Sequence, residues 1–225
     1  MQDFGSIPYE VVLEKQNYFP AGRTTGVSIA AIKCLLVFGL YNDFRTKEVS
    51  LSLSQIEDVT GCSKPMVIEG IKQLCSCGIV TKVDQGKTNV KGKYIINFPS
   101  KRFTQIPHYF LCYELRNFPN KGITALVALK AYLILLKFRR NDTSHTEITY
   151  TGFARYGINL KHLNKALAIL ISSNYISIFK QYNWDEKGYN KSCNNYKILQ
   201  FPKTLTIYNK VDAIDFDSVL ENGAM

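Results

Sequence analysis

The sequence has no long uncharged apolar segment. The longest candidate, Ala125 to Leu136, contains Lys130 and is too short to cross a bilayer, so we expect no transmembrane helix and no membrane partner. The N-terminus, Met-Gln-Asp-Phe-Gly, lacks the basic start and the apolar stretch of a signal peptide. The sequence therefore predicts a cytoplasmic protein, in which disulfides are not expected.

Residues with the patterns of catalytic or metal sites are also lacking. The histidines His108, His145 and His162 are scattered without metal-ligand spacing. Gly86-Lys87-Thr88 looks like the end of a phosphate-binding loop, but Thr81 stands where that pattern needs a glycine. The sequence predicts neither an enzyme nor a cofactor.

Six cysteines need an explanation in a reducing compartment. They are Cys34, Cys62, Cys75, Cys77, Cys112 and Cys193. A metal site would need a second closely spaced pair beside Cys75 and Cys77, and Cys75 falls on the apolar stripe of a predicted helix. We interpret all six as buried or incidental thiols.

The composition is that of a folded protein with a basic body. Hydrophobic residues make up 46% of the 225 residues and charged residues 20%, and the length suits two domains. Four of the 18 acidic residues, and none of the 28 basic ones, lie after residue 211, so residues 1–211 carry a formal charge of +14. This excess favours a polyanion such as nucleic acid, although charge alone leaves simple solubility equally open.

The chain contains an internal repeat with an offset close to 99 residues. Phe4-Gly-Ser-Ile7-Pro8 returns as Phe103-Thr-Gln-Ile106-Pro107, and Glu48-Val49-Ser50 returns as Glu147-Ile148-Thr149. Between them, Lys33 and its neighbours in a first helix correspond to Lys130 at an offset of 97. The constant order of these agreements indicates that two similar units follow each other.

Periodicity and punctuation predict the same elements in each unit. These are a long helix (residues 26–41 and 124–138), a strand (48–51 and 147–150), a short helix (53–59 and 152–156), a second helix, and a hairpin (79–83 with 93–98, and 175–181 with 195–201). Gly61 and Gly157 end the short helices, and Ser63 and Asn159 are N-caps of the second helices. The apolar residues of these helices are expected to face inward. They include Ile29, Ile32, Leu36 and Leu40 on one face of the first long helix, Val67 in the first of the second helices and Ile171 in the other.

A helix, a strand, a helix-turn-helix and a hairpin in this order are typical of a winged helix. The predicted fold class is therefore α+β, with two tandem winged helix-turn-helix domains. We place the first domain at residues 1–99 and the second at 104–208, followed by an acidic segment at 209–225.

The exposed face of each second helix is expected to meet the major groove of DNA. Its residues are Ser63, Lys64, Met66 and Lys72 in the first domain and Asn159, Lys161, His162, Asn164 and Lys165 in the second. Serine and asparagine can read base edges, while lysine mostly supplies charge toward phosphate. An ordinary solvated helix face is the alternative interpretation.

The hairpin loops supply a second set of predicted contacts. Their lysines are Lys82, Lys87, Lys91 and Lys93 in the first domain and Lys187 and Lys191 in the second. Trp184 and the tyrosines near it either stack on exposed bases or form a protein–protein interface. Arg139 and Arg140 are either phosphate ligands or partners of a helix dipole.

Two motifs go beyond a generic winged helix: the Phe-x-x-Ile-Pro lead-in, and Val59-Thr-Gly61-Cys-Ser63-Lys-Pro-Met-Val-Ile. Together they resemble the tandem winged-helix replication initiators of plasmids and phages and the DNA-binding domains of phage replication-organiser proteins. The resemblance implies binding to repeated origin sequences, recruitment of replication proteins such as a helicase or its loader, and repression of the protein's own promoter. It also implies that Ser63, Lys64 and Pro65 open the recognition helix. The second domain departs from the motif, so it either reads DNA or forms a homodimer.

The predicted function is sequence-specific binding of double-stranded DNA, as a replication initiator of a plasmid, phage or mobile element. Three alternatives also agree with the sequence. They are a transcriptional regulator of a mobile element, a winged-helix module for protein interaction, and a binder of single-stranded nucleic acid through the aromatic wing.

Overall fold

The computed structural model describes residues 4–13, 16–83, 91–99, 102–141, 143–184 and 190–199. We call residues 4–99 the first half and residues 102–199 the second half. The first half contains β1 (Phe4–Pro8), α1 (Tyr9–Leu13), a 3-10 helix (Gln16–Tyr18), α2 (Thr25–Tyr41), β2 (Glu48–Leu51), α3 (Leu53–Thr60), α4 (Lys64–Ser76), β3 (Val80–Lys82) and β4 (Gly92–Ile96). The second half contains β5 (Phe103–Pro107), α5 (His108–Glu114), a 3-10 helix (Leu115–Asn117), α6 (Ile123–Phe138), β6 (His145–Glu147), α7 (Tyr150–Arg155), α8 (Leu160–Ser172), β7 (Ile176–Trp184) and β8 (Asn190–Ile198). This mixture of helices and strands confirms the predicted α+β class.

Both halves have the same order of elements, as the repeat in the sequence predicts. Each has a strand, a short helix, a 3-10 helix, a long helix, a strand, two helices and two final strands. One antiparallel sheet has the order β2-β4-β3, and the other has the equivalent order β6-β8-β7. In each sheet the last strand of the half lies in the centre.

The long helices α2 and α6 form the middle of the core. Residues 28–40 of α2 are all buried, and so are residues 125–129 and 131–136 of α6. The sequence predicted one buried face, carrying Ile29, Ile32, Leu36 and Leu40, but a helix that is apolar all round needs cover on every side. α2 packs against α3 and α4 of its own half and against α5 and α6 of the other, which supplies that cover.

The strands that begin the two halves, β1 and β5, pair with each other in an antiparallel ladder. The register places Ser6 opposite Gln105, and the 99-residue offset makes these two positions equivalent. Exchange of the two halves therefore maps the ladder onto itself, so the ladder lies on a local pseudo-two-fold axis. The sequence predicted both segments as lead-ins but did not predict their pairing.

Glycines allow this ladder to lie directly on α2. A Cβ at Gly5 would collide with the carbonyl oxygen of Gly39. A Cβ at Gly39 would lie 3.0 Å from Cδ1 of Ile106, which belongs to the second half. Strands from both halves thus pack on one helix of the first half.

The strands of the second hairpin extend further into the predicted loop than the sequence indicated. β7 ends at Trp184 instead of residue 181, and β8 begins at Asn190 instead of residue 195, so Trp184 and Lys191 lie in strands.

Two further boundaries of the second half are corrected by the structure. The predicted strand at residues 147–150 is wrong at its end, because β6 stops at Glu147 and α7 begins at Tyr150. The reason is a cap: Thr149 Oγ1 accepts a hydrogen bond from the Gly152 N–H at 3.1 Å, which starts the helix two residues earlier than expected. The domain boundaries at residues 99 and 104 stay a prediction, and the acidic segment 209–225 lies outside the described residues.

Candidate nucleic-acid interface

The α3–α4 pair begins with a complete capping box. Ser52 Oγ accepts a hydrogen bond from the Gln55 N–H at 3.2 Å, and Gln55 Oε1 accepts one from the Ser52 N–H at 2.9 Å. α3 ends at Gly61, whose φ of 63° lies in the left-handed region that favours glycine. The turn predicted at Gly61 is confirmed.

One face of α4 is buried against α2 and the other is exposed. The buried residues are Val67, Gly70, Ile71 and Leu74. Gly70 permits a close approach, because a Cβ there would lie 2.8 Å from the backbone nitrogen of Ala31. The exposed face carries Ser63, Lys64, Pro65, Glu69 and Lys72.

Two residues predicted on the exposed face of α4 make contacts within the protein. Met66 is half-buried and packs on the core, with its Cε 3.4 Å from a Cβ added at Gly26. Lys72 Nζ lies 2.8 Å from Glu69 Oε1 one helical turn away. Residues 53–76 contain three acidic and two basic side chains, a net charge of −1. Ser63 and Lys64 therefore remain the best placed of the four.

The α7–α8 pair differs from the α3–α4 pair in its caps and in its charge. Asn159 Oδ1 accepts a hydrogen bond from the Lys161 N–H at 3.0 Å, which confirms Asn159 as the N-cap of α8. The buried residues of α8 are Leu163, Ala166, Leu167 and Leu170. Residues 150–172 contain the basic Arg155, Lys161 and Lys165 and no acidic residue, a net charge of +3.

The exposed face of α8 gathers most of the residues predicted there. Lys161, Asn164 and Lys165 are exposed, whereas His162 is half-buried. The Tyr150 hydroxyl donates a hydrogen bond of 2.6 Å to Asn164 Oδ1. This bond occupies one lone pair of Oδ1, so the second lone pair and the two N–H donors of Asn164 can pair with an adenine edge, and the donors can also bind a phosphate.

The hairpin lysines of the first half do not share one face. Lys82 pairs with Tyr94 across the β3–β4 ladder, and Lys93 precedes Tyr94, so Lys82 and Lys93 project from opposite faces. Both are exposed, as is Lys91. Lys87 and Lys187 lie outside the described residues. Lys191 lies in β8, but its side chain is not among those described.

Arg139 and Arg140 have partners within the protein. The Arg139 guanidinium donates to Asn141 Oδ1 at 2.9 Å and to Gln105 Oε1, and Arg140 Nη2 lies 3.6 Å from Glu147 Oε1. The guanidinium of Arg139 thus ties the end of α6 to β5.

The structure adds residues that sequence reasoning missed. A Cβ at Gly61 would collide with the carbonyl oxygen of Arg116, and Asn120 Nδ2 donates a hydrogen bond of 2.6 Å to the Gly61 carbonyl. The exposed side chains of Arg116 and Lys121 are therefore brought close to the turn before α4. No local pattern could have indicated this, because Gly61 and Asn120 are 59 residues apart.

The described residues show no group of side chains that could hold a metal ion, and the five cysteines whose side chains are described are free thiols: Cys34, Cys62, Cys75, Cys77 and Cys112. Cys34 and Cys62 are buried, and burial raises the pKa of both. In the same part of the chain, no helix combines the length and the apolar character needed to cross a membrane. No protein-family model matches the sequence, and no curated protein matches it either.

Proposed function

We propose that this protein binds double-stranded DNA in a sequence-specific manner through two tandem winged helix-turn-helix domains. In this proposal α4 and α8 are the recognition helices, and the β3–β4 and β7–β8 hairpins are the wings. The repeated order of elements supports the proposal, as do the left-handed turn at Gly61 before α4 and the Asn159 cap of α8.

The exposed face of α8 carries the proposal. It presents Lys161, Asn164 and Lys165 on a helix whose opposite face is buried, in a helix pair without acidic residues. Among the described residues none of these lysines forms an ion pair. A helix with its side chains is about 10–12 Å wide, which matches the major groove of about 12 Å. Asparagine can pair with adenine there, and the lysines can neutralise phosphates.

The biological role that we propose is initiation of replication at repeated sites of a plasmid, phage or mobile element. Transcriptional control of a mobile element is the other role that DNA binding would serve. The partners proposed with this role are double-stranded DNA, a second copy of the chain, and replication proteins such as a helicase or its loader. Pro65 in the first turn of α4 agrees with the motif that suggested this role.

Fluorescence anisotropy can test the proposal with a duplex from the region upstream of the protein's own gene and a scrambled duplex of equal length. We expect tighter binding to the upstream duplex, and affinity that falls steeply with salt. Lys165→Gln should weaken binding to both duplexes and reduce the salt slope by about 1, since one phosphate contact is lost.

Arg45→Gln is the matched control. Arg45 is exposed on the loop after α2, outside both helix pairs and both hairpins, so the same loss of charge should leave the salt slope unchanged. Equal affinity for the two duplexes would overturn sequence-specific binding. An unchanged salt slope for Lys165→Gln would show that Lys165 contacts no phosphate, and it would contradict the assignment of α8 to the interface.

A second candidate function has its own observation. Leu160 and Ile171, at the two ends of α8, are 42% and 43% exposed, although Ile171 was predicted to face inward. A protein partner on the second half would cover these two side chains. A complex that survives high salt and forms without DNA would support this alternative, because phosphate contacts weaken steeply with salt.

A further inference from the structure

Lys33 is a lysine without solvent exposure in the middle of α2. Its Nζ donates three hydrogen bonds to backbone carbonyl oxygens, to Thr60 at 2.8 Å, Leu115 at 2.8 Å and Phe118 at 2.7 Å. An ammonium group has three N–H donors and no acceptor, so the three carbonyls satisfy it completely.

These carbonyls come from both halves of the chain. Thr60 is the last residue of α3 and lies at the turn into α4, whereas Leu115 and Phe118 belong to the segment that precedes α6. One buried ammonium therefore holds the α3–α4 turn against the second half. The same two segments meet through Asn120, which accepts a hydrogen bond from the Cys62 thiol at 3.4 Å in addition to binding the Gly61 carbonyl.

The charge of Lys33 is balanced by dipoles rather than by an acid. In the described part of the chain no carboxylate forms an ion pair with it, and the titratable groups that influence its pKa are the thiols of Cys62 and Cys34. Burial lowers the pKa of Lys33 to about 8. The side chain is therefore still protonated at neutral pH. As an ammonium group it has the three N–H donors that its three hydrogen bonds need.

We infer that Lys33 is a positioning residue for the DNA interface, because its ammonium ties the α3–α4 turn to the second half and so holds α4 in a fixed orientation relative to α8. The part of this inference that concerns DNA rests on the proposed function. An apolar side chain at residue 33 would leave three carbonyls without a donor, and buried carbonyls in that state draw water into the contact and separate its two sides.

Hydrogen–deuterium exchange on the DNA-free protein tests the tie itself. Lys33→Met keeps a side chain of similar size without donors, and Lys130→Met is the control, because Lys130 holds the equivalent position in α6 and is only half-buried. We expect peptides covering residues 57–66 and 113–122 of Lys33→Met to exchange about tenfold faster. The first peptide loses the hydrogen bond to Thr60, and the second loses those to Leu115 and Phe118. Wild-type rates in both peptides, or the same change in Lys130→Met, would overturn the inference.

If Lys33→Met does not fold, Lys33→Ala gives a second measurement. Alanine leaves a space beside the three carbonyls that n-propylammonium can fill with three N–H donors, whereas tetramethylammonium at the same concentration has none. We expect only n-propylammonium to raise the melting temperature of Lys33→Ala. Equal effects of the two salts would contradict the role of the ammonium.

DNA binding tests the positioning role. The probes are a duplex selected from a random pool by the wild-type protein and an unselected duplex, both measured at low salt. The buried ammonium cannot reach phosphate, so Lys33→Met should lose about tenfold or more in affinity for the selected duplex but little for the unselected one. A variant that was merely less folded would lose both affinities in equal proportion.

The exchange test and the DNA-binding test can fail independently of each other. If the wild-type protein selects no duplex, the proposed function is wrong, while the exchange measurement still decides whether Lys33 ties the halves together. If it selects a duplex that Lys33→Met binds as tightly as the wild type, Lys33 has no positioning role.

Discussion

Gly61 and Gly78 have nearly the same backbone conformation but different surroundings. Their φ angles are 63° and 65°, and each follows the end of a helix of the first half. A Cβ at Gly78 would meet no atom within 4 Å, whereas a Cβ at Gly61 would collide with the backbone of Arg116. Gly78 is therefore needed for its conformation alone, and Gly61 for its conformation and for the contact between the halves.

Substitution of these two glycines separates the two effects. Gly78→Ala should lower the free energy of unfolding by about 1–2 kcal/mol, the cost of a left-handed alanine. Gly61→Ala should lower it by about 2–5 kcal/mol, because the collision adds to the same cost. Urea denaturation of both variants measures the difference. Equal decreases in the free energy of unfolding would show that the backbone near Arg116 moves to accommodate the added Cβ without destabilising the protein.

Single residues also show which contacts on the exposed face of α4 the sequence leaves open. Lys64 is exposed as predicted, but Met66 packs inward and Lys72 pairs with Glu69. Helical periodicity assigns a residue to a face, but a long side chain can bend toward the core or toward a neighbour. The exposed face of a helix is therefore predictable, whereas the side chains that remain available on it are not.

At the scale of elements, the N-caps of α3 and α4 look alike in the sequence but differ in the structure. Ser52 and Ser63 are both N-caps, but only Ser52 makes a side-chain cap hydrogen bond. The hydroxyl of Ser63 is exposed and takes no part in holding α4, so it is available to a ligand.

Alanine at each cap should have opposite effects on stability and on binding. We expect Ser52→Ala to reduce the free energy of unfolding by about 1 kcal/mol, because the capping box is broken. Ser63→Ala should change it by less than about 0.5 kcal/mol and instead weaken binding to a selected duplex. Thermal unfolding and anisotropy on both variants check this, and a larger stability loss for Ser63→Ala would contradict it.

At the scale of the whole molecule, the halves are interlocked. β1 of the first half pairs with β5 of the second, the ladder packs on α2, and Lys33 bonds carbonyls of both halves. Two independent domains would share few contacts. The physical unit of folding is therefore expected to be the whole described chain.

Calorimetry should show one cooperative unfolding transition, with calorimetric and van't Hoff enthalpies that agree. Gly39→Ala would press on Ile7 of the first half and Ile106 of the second. It should move the whole transition down by about 3–10 °C without splitting it. Two resolved transitions, in the wild type or in this variant, would mean that the halves unfold independently.

The sequence by itself determined the features that have local causes. The long apolar stretches form α2 and α6, Gly61 ends α3, Asn159 caps α8, and the repeat of motifs returns as a repeat of elements. In each case the residues responsible lie within a few positions of the structure that they produce.

Only the tertiary structure decided how the repeated units are joined. The β1–β5 ladder and the bonds from Lys33 to Leu115 and Phe118 connect residues that lie 80 or more positions apart. No local pattern marks such contacts, because their stability comes from burial and hydrogen bonding that exist only once both halves are in place. In the sequence Lys33 only interrupts the apolar pattern of α2. In the structure three backbone carbonyls bind its ammonium group, and the side chain is part of the core.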